Sequence, residues 1–136
     1  MQITFTPASN SLTTQAIVLG DDTAGAIVNN YLPRQSRSIQ QNNPTRAKNP
    51  IFYPRYLRFM EVSWTVERTH ASYADAVQFV LQHADAVPDS GTLQVVHAGT
   101  TLTLQNCVTQ SVQCARHTGV ATWFQYTVKG SYFTNP

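Results

Sequence analysis

MEVSWTVERTHASYADAVQFVLQHADA, residues 60–86, changes its apolar period from two to 3.6 within a few residues. Tyr56, Met60, Val62, Trp64 and Val66 share one strand phase, and Glu61, Ser63, Thr65 and Glu67 share the other. That alternation predicts a strand over 51–68 with one buried face, whose acids pair across strands with arginine. From Tyr73 the apolar residues Tyr73, Ala76, Val77, Val80, Leu81 and Ala84 recur with the spacing of one helical stripe. Ser72 and Asp75 give an S-x-x-D start, and Pro88-Asp89-Ser90-Gly91 stops the helix and turns the chain. The helix is placed at about 73–86.

Working outward, the C-terminal third reads as strands at 92–97, 100–114 and 119–129, with Ala98-Gly99 as a tight hairpin turn. Leu102, Leu104, Val108 and Val112 share a phase in the second of these. The third carries aromatics on both phases, Phe124 and Tyr126 against Trp123, which predicts that something covers its second face. On the N-terminal side, 2–6 reads as a short edge strand, and 15–19 with 25–32 as a hairpin around Gly20-Asp21-Asp22. Between Pro33 and Pro50 the sequence has three prolines, four basic residues and no apolar period, which predicts a long loop. An eighteen-residue loop in a small domain is the kind of segment that is either disordered or ordered by a partner.

The expected fold is a mainly β sandwich or barrel of about six to eight strands, with the helix at its flank and a single domain over 1–136. Its core is drawn from Val62, Trp64, Val66, Val77, Val80, Leu81, Leu102, Leu104, Val108, Phe124 and Tyr126. Only 12% of the 136 residues are charged, about half the usual share, so copies repel one another weakly and self-association is open to them. The net charge of +2 is small but unevenly spread. Six of the nine basic residues lie between Arg34 and Arg58, and no acid occurs between Thr23 and Met60. Residues 1–10 lack a basic segment followed by an apolar one, and no apolar run approaches membrane-spanning length. Those two features predict synthesis in a cytoplasm and no membrane partner.

Signals for chemistry are sparse. His70, His83, His97 and His117 have no metal-ligand spacing, and Cys107 and Cys114 are not a C-x-x-C pair, so no metal or other cofactor is expected. His83 reads as a surface residue compatible with a helix C-terminus. The seven acids fall on outward strand phases, turns and a helix start, which leaves no paired carboxylates for acid–base work. The six glycines are isolated, without a phosphate-binding loop, and no catalytic residue is assigned. Seven residues apart, Cys107 and Cys114 lie on opposite faces of a regular strand and read as reduced thiols, whereas a bulge near Asn106 would change that phase and permit a disulfide.

The basic stretch, interleaved with Tyr31, Phe52, Tyr53, Tyr56 and Phe59, reads in three ways. It binds nucleic acid through phosphate contacts and stacking, it reaches a neighbouring subunit, or it is a floppy surface loop. The second reading assigns the subunit interface to Arg34, Arg37, Arg46, Lys48, Phe52, Tyr53 and Trp123. A small β module binding carbohydrate or single-stranded nucleic acid on Trp123 and Tyr53 is the rival.

Val62-Ser63-Trp64-Thr65-Val66, the Tyr73-Ala74-Asp75-Ala76 helix, Gly91-Thr92-Leu93-Gln94-Val95, residues 101–108 and residues 117–128 together resemble, in order and pattern, the phage tail-tube family and its distal-tail, baseplate and tail-terminator ring relatives. The resemblance covers roughly residues 51–130. It implies a virion structural protein of the tail, assembled in the host cytoplasm with copies of itself as a hexameric ring or tube, with other tail or connector proteins as partners and DNA passing without specific binding. In that family long loops reach adjacent subunits, a role that falls here on 33–50. Family lumens are commonly acidic, so a basic loop implies that this segment faces a neighbour, or that the chain is a tail-end ring or head-to-tail adaptor.

Overall fold

Strand β4 (Ile51–Thr69) and helix α1 (Tyr73–Ala86) form where their periods place them. In this computed structural model the described residues are 1–8, 15–42 and 51–134, with side chains described for 1–8, 15–35 and 59–134. The Ser72 side chain caps α1 by accepting from the Asp75 backbone N–H at 3.2 Å, so one of the first-turn donors is satisfied. The remaining strands are β1 (Gln2–Pro7), β2 (Ile17–Asp21), β3 (Ile27–Asn42), β5 (Ser90–His97), β6 (Thr100–Thr118), β7 (Ala121–Gly130) and β8 (Tyr132–Thr134).

The strands make one antiparallel sheet in the order β2-β1-β5-β6-β7-β4-β3, with β8 added to β6. The sheet folds over on itself. Trp64 of β4 donates its indole N–H to the carbonyl of Leu19 of β2 at 2.9 Å, although these strands lie far apart in the sheet order. At the ends, β2 and β3 do not pair, and only an isolated bridge between Asp21 and Ala26, just before β3, spans the turn between them, so the sheet does not close. The architecture is therefore mainly β, sandwich-like, with one helix at its flank. Ala98 and Gly99 both take positive φ, 51° and 78°, as a two-residue hairpin turn requires. At Gly91 a side chain has no room, since a Cβ there would stand 1.9 Å from the Thr6 carbonyl oxygen of the neighbouring strand.

Ile3, Phe5 and Leu19 face Val62, Trp64 and Val66 across the core, joined by Leu93, Leu104, Phe124, Tyr126 and Val128. Trp64 and Tyr126 are cross-strand partners whose rings stack 5.2 Å apart. Aromatic pairs of this kind add about 1 kcal/mol to what their buried area contributes.

Several expectations change. Residues 33–42 belong to β3, which pairs with β4 from Ile27 to Asn42, so the loop expected over 33–50 is a strand for most of its length. Its remainder, 43–50, lies outside the described residues. β1 is not an edge strand, because it sits between β2 and β5. β2 pairs with β1, and the hairpin expected between β2 and β3 is reduced to the one bridge. Of the expected core, Leu81 is 75% exposed and Val108 58%. Val108 points outward because Asn106 takes a left-handed φ of 54°, which interrupts the alternation after Leu104 and turns Cys107 inward. Both cysteines are free thiols; burial raises the pKa of Cys107 to about 11, and Cys114 is half-buried.

Candidate assembly surface

β3 ends the sheet, and along most of its sixteen residues its outer edge faces no other strand among the described residues. β7 pairs with β4 only from Met60 to Thr69. Beyond Met60, therefore, β3 and β4 continue as a two-stranded ribbon whose rungs run from Ser36–Phe59 to Asn42–Ile51. At about 3.3 Å per residue that arm is over 20 Å long. A ribbon with no third strand paired to it among the described residues offers backbone N–H and C=O groups on both edges, the material from which strand addition between chains is made.

The expected interface residues divide along this arm. Arg34 stands at its base, directly opposite Glu61, and donates a hydrogen bond from its guanidinium to that carboxylate. Glu61 is buried to 6% exposure, contrary to the open polar face expected of it. In register on its other side is Lys129, so the carboxylate lies between two cationic residues. The Lys129 ammonium in turn sits 4.6 Å from the ring of Phe59. Three residues further along β3, Arg37 is directly opposite Arg58. Phe52 and Tyr53 are in β4 and pair with Gln41 and Gln40. Arg46 and Lys48 fall outside the described residues.

Trp123 is not part of the arm. It lies on β7 between Glu67 and Arg116 in register, half-buried, with the Arg116 guanidinium 4.8 Å over its ring. The exposed Arg116 side chain thus lies over one face of the indole, a cation–π contact.

The helix is held by a polar cluster that sequence reading missed. His83 is only 7% exposed, buried against Phe124 and Tyr126. Its Nε2 lies 2.5 Å from the Tyr126 hydroxyl, which itself accepts from the Arg68 guanidinium at 2.9 Å. Burial, together with the nearby Arg68 charge, lowers the His83 pKa to about 4, so the imidazole is neutral and shares a single hydrogen bond with the phenol. Burial raises the Tyr126 pKa. Phe79 stacks on His83 and meets Phe124 edge-on, and His70 bonds Thr122 at 2.9 Å. A shallow depression of about 330 Å³ beside α1 is lined by His70, Asp75, Gln78, Phe79, Gln82 and His83. The cluster fixes α1 to the sheet through satisfied hydrogen bonds. No group of three or more His, Cys, Asp or Glu is gathered among the described residues. The signal in the sequence was the pairing of His83 with Phe79 at i and i+4, one helical turn apart and off the apolar stripe.

No protein-family model matches the sequence, and no curated protein matches it. A chain of the virion of a native gene transfer agent (GTA) particle has a similar path over 99% of this chain and 95% of that one, with 10% identity and a TM-score of 0.44.

Proposed function

We propose that this chain is a virion structural subunit of a phage-like particle, a tail-tube or tail-ring component that assembles with copies of itself around a path for DNA. The observation that carries this reading is the β3 edge with its projecting arm. A chain that builds a long, open ribbon beyond its own core leaves backbone groups for another chain to pair. The low charge of the surface, 12% of all residues, removes much of the repulsion that would oppose packing of copies side by side. The order of elements agrees with the tail-tube resemblance: the strand at 51–69, then the helix at 73–86, then the three long C-terminal strands. In this role the folded body is the ring segment and the arm joins it to its neighbours. The role requires no catalytic step and no cofactor.

Light scattering after size exclusion, with negative-stain images of the same fractions, tests the proposal. Rings, tubes or a defined oligomer are the expected result. A strict monomer across a wide concentration range, alone and with extracts of the assembling host, would overturn it. Replacing residues 37–57 by a short turn should leave a folded body that no longer assembles.

A further inference from the structure

Helix α1 is tied to the sheet at both ends and held between them by one narrow side. Before the helix, the His70 backbone N–H donates to the Val120 carbonyl at 2.8 Å. After it, the Thr109 hydroxyl and backbone N–H donate to the Pro88 and Asp89 carbonyls at 2.7 and 2.9 Å. Between these tethers α1 makes no backbone hydrogen bond to a strand among the described residues. Its apolar stripe comprises Tyr73, Ala76, Val77, Val80, Leu81 and Ala84, yet the side turned to the sheet is built from Ala76, Phe79, Val80 and His83. Tyr73 is 63% exposed and Leu81 75%. The second half of the helix is therefore anchored by Phe79, Val80 and a histidine instead of by Leu81.

Three histidines that are scattered in the sequence gather around this helix. His70 bonds Thr122 and lies 4.8 Å from the Phe79 ring, His83 bonds Tyr126, and His117 of β6 stacks on Tyr73 at 5.6 Å. Arg68 of β4 joins them, its guanidinium 5.0 Å over the Phe79 ring. His83 and Arg68 reach the same Tyr126 oxygen, at 2.5 and 2.9 Å, so their two nitrogens are no further apart than those distances together. No carboxylate answers these bases at close range. On α1, Asp75 lines the same depression as His83 but stands two turns before it, about 12 Å along the axis, and the exposed Asp85 lies on another side of the helix. On β4, Glu67 is on the opposite strand face, in register with Trp123. β7 offers only Thr122, Phe124 and Tyr126, and on β6 the Arg116 guanidinium lies over Trp123. Neither ion pair among the described residues involves Arg68. A proton on His83 would place a second positive charge beside Arg68 in a buried position, where charge is costly, and leaving the sheet would return the imidazolium to water.

We propose that α1 is an acid-released latch: a proton on His83, set against Arg68 with no carboxylate between them, drives the helix off the sheet while its two tethers and the strands stay in place, uncovering Phe79 and Phe124. The device belongs to the single chain and does not rest on the assembly reading above. Docked His83 has a pKa of about 4, whereas a released one has the ordinary value of 6.5, so the released form takes the proton first. Docking is untouched above about pH 6.5 and weakens as pH falls from there toward 4. The ratio of released to docked helix should rise about twentyfold between pH 7 and pH 5 and about a hundredfold by pH 4. Burial and then the Arg68 charge also lower the His70 pKa, against a smaller opposing effect of Asp75, which adds in the same direction.

Hydrogen exchange of the full chain at pH 7, 5.5 and 4.5, corrected for the intrinsic pH dependence of exchange, tests the latch by comparing amides of residues 73–86 with those of β5 and β7. Protection of the helix should fall by about tenfold or more relative to the strands across that range. His83→Gln, which does not titrate, should remove the pH dependence. Arg68→Gln keeps a donor for Tyr126 but removes the opposing charge, and should reduce the loss at pH 4.5. Circular dichroism at pH 7 shows whether each variant is folded. If His83→Gln already leaves the helix unprotected at pH 7, the Arg68→Gln comparison decides alone. Helix protection that does not fall, that falls in step with the strands, or that falls unchanged in Arg68→Gln would overturn the proposal.

Discussion

Two rungs of the same hairpin, three residues apart on β3, follow opposite rules. At Arg34–Glu61 a cation faces a buried anion, with Lys129 on its far side, and the sheet continues beyond through β7. At Arg37–Arg58 two cations face each other, and the sheet has stopped. On the body side of this boundary the chain satisfies its own groups: no buried side-chain polar atom among the described residues lacks a partner. On the arm side Arg37 and Arg58 share a register position, and no third strand pairs with the ribbon among the described residues. The contrast separates a region held by its own core and ion pair from a two-stranded ribbon that continues past the sheet.

Breaking the body should have the largest effect. Trp64→Ala removes a side chain that is 1% exposed, its stacking on Tyr126 and its bond to Leu19, which leaves that carbonyl unpaired. The expected loss is about 3–5 kcal/mol in denaturant unfolding. If the body and arm behave as separate regimes, this loss should not depend on whether the arm is present.

The next effect depends on pH. His83 has a folded pKa of about 4, below the ordinary histidine value, so the unfolded chain binds a proton that the folded chain refuses. Its neutral form costs nothing above about pH 6.5, and stability falls as pH drops from there toward 4, by up to about 3 kcal/mol. Unfolding curves at pH 7 and pH 4.5 should differ more for the unmodified protein than for His83→Gln, which does not titrate. Equal slopes in the two proteins would show that another group governs the acid limb.

Arg34→Ala sharpens the boundary itself. It leaves the buried Glu61 without its guanidinium partner while Lys129 remains beside it in register, so a loss of about 1 kcal/mol is expected by the same unfolding measurement. Three residues away the sign should reverse. Arg37→Ser relieves the opposed cations, and stability should stay within about 0.5 kcal/mol of the original or rise slightly. A large loss there would mean that the arm finds its anion within the same chain.

The boundary also explains where sequence reading stopped. Alternation at Met60–Val66 was legible because one face of β4 packs on a core, which enforces a period of two. Residues 33–42 lost that period because part of β3 lies in the arm, where no core selects alternate residues, and Pro33 is tolerated on a strand that ends the sheet. Lacking a pattern, the segment read as loop while its backbone pairs with β4 throughout. Charge alone assigned Arg34 to an expected interface; its bond to Glu61 within the chain was foreshadowed only by the expectation that β4 acids pair with arginine across strands.

What the sequence determined by itself was therefore local: the strand at 51–69, the helix at 73–86 with its Ser72 cap, the Ala98-Gly99 turn, and the accumulation of basic residues between Arg34 and Arg58. Each follows from period, capping chemistry or composition within a short window. Tertiary structure decided which strands are neighbours, how far α1 turns about its axis, and which side of Asn106 faces in. These depend on contacts between residues distant in the chain. A helical stripe specifies that one side is apolar, and only the packing of Phe79 and His83 onto Phe124 and Tyr126 specifies which part of that side the chain buries for itself.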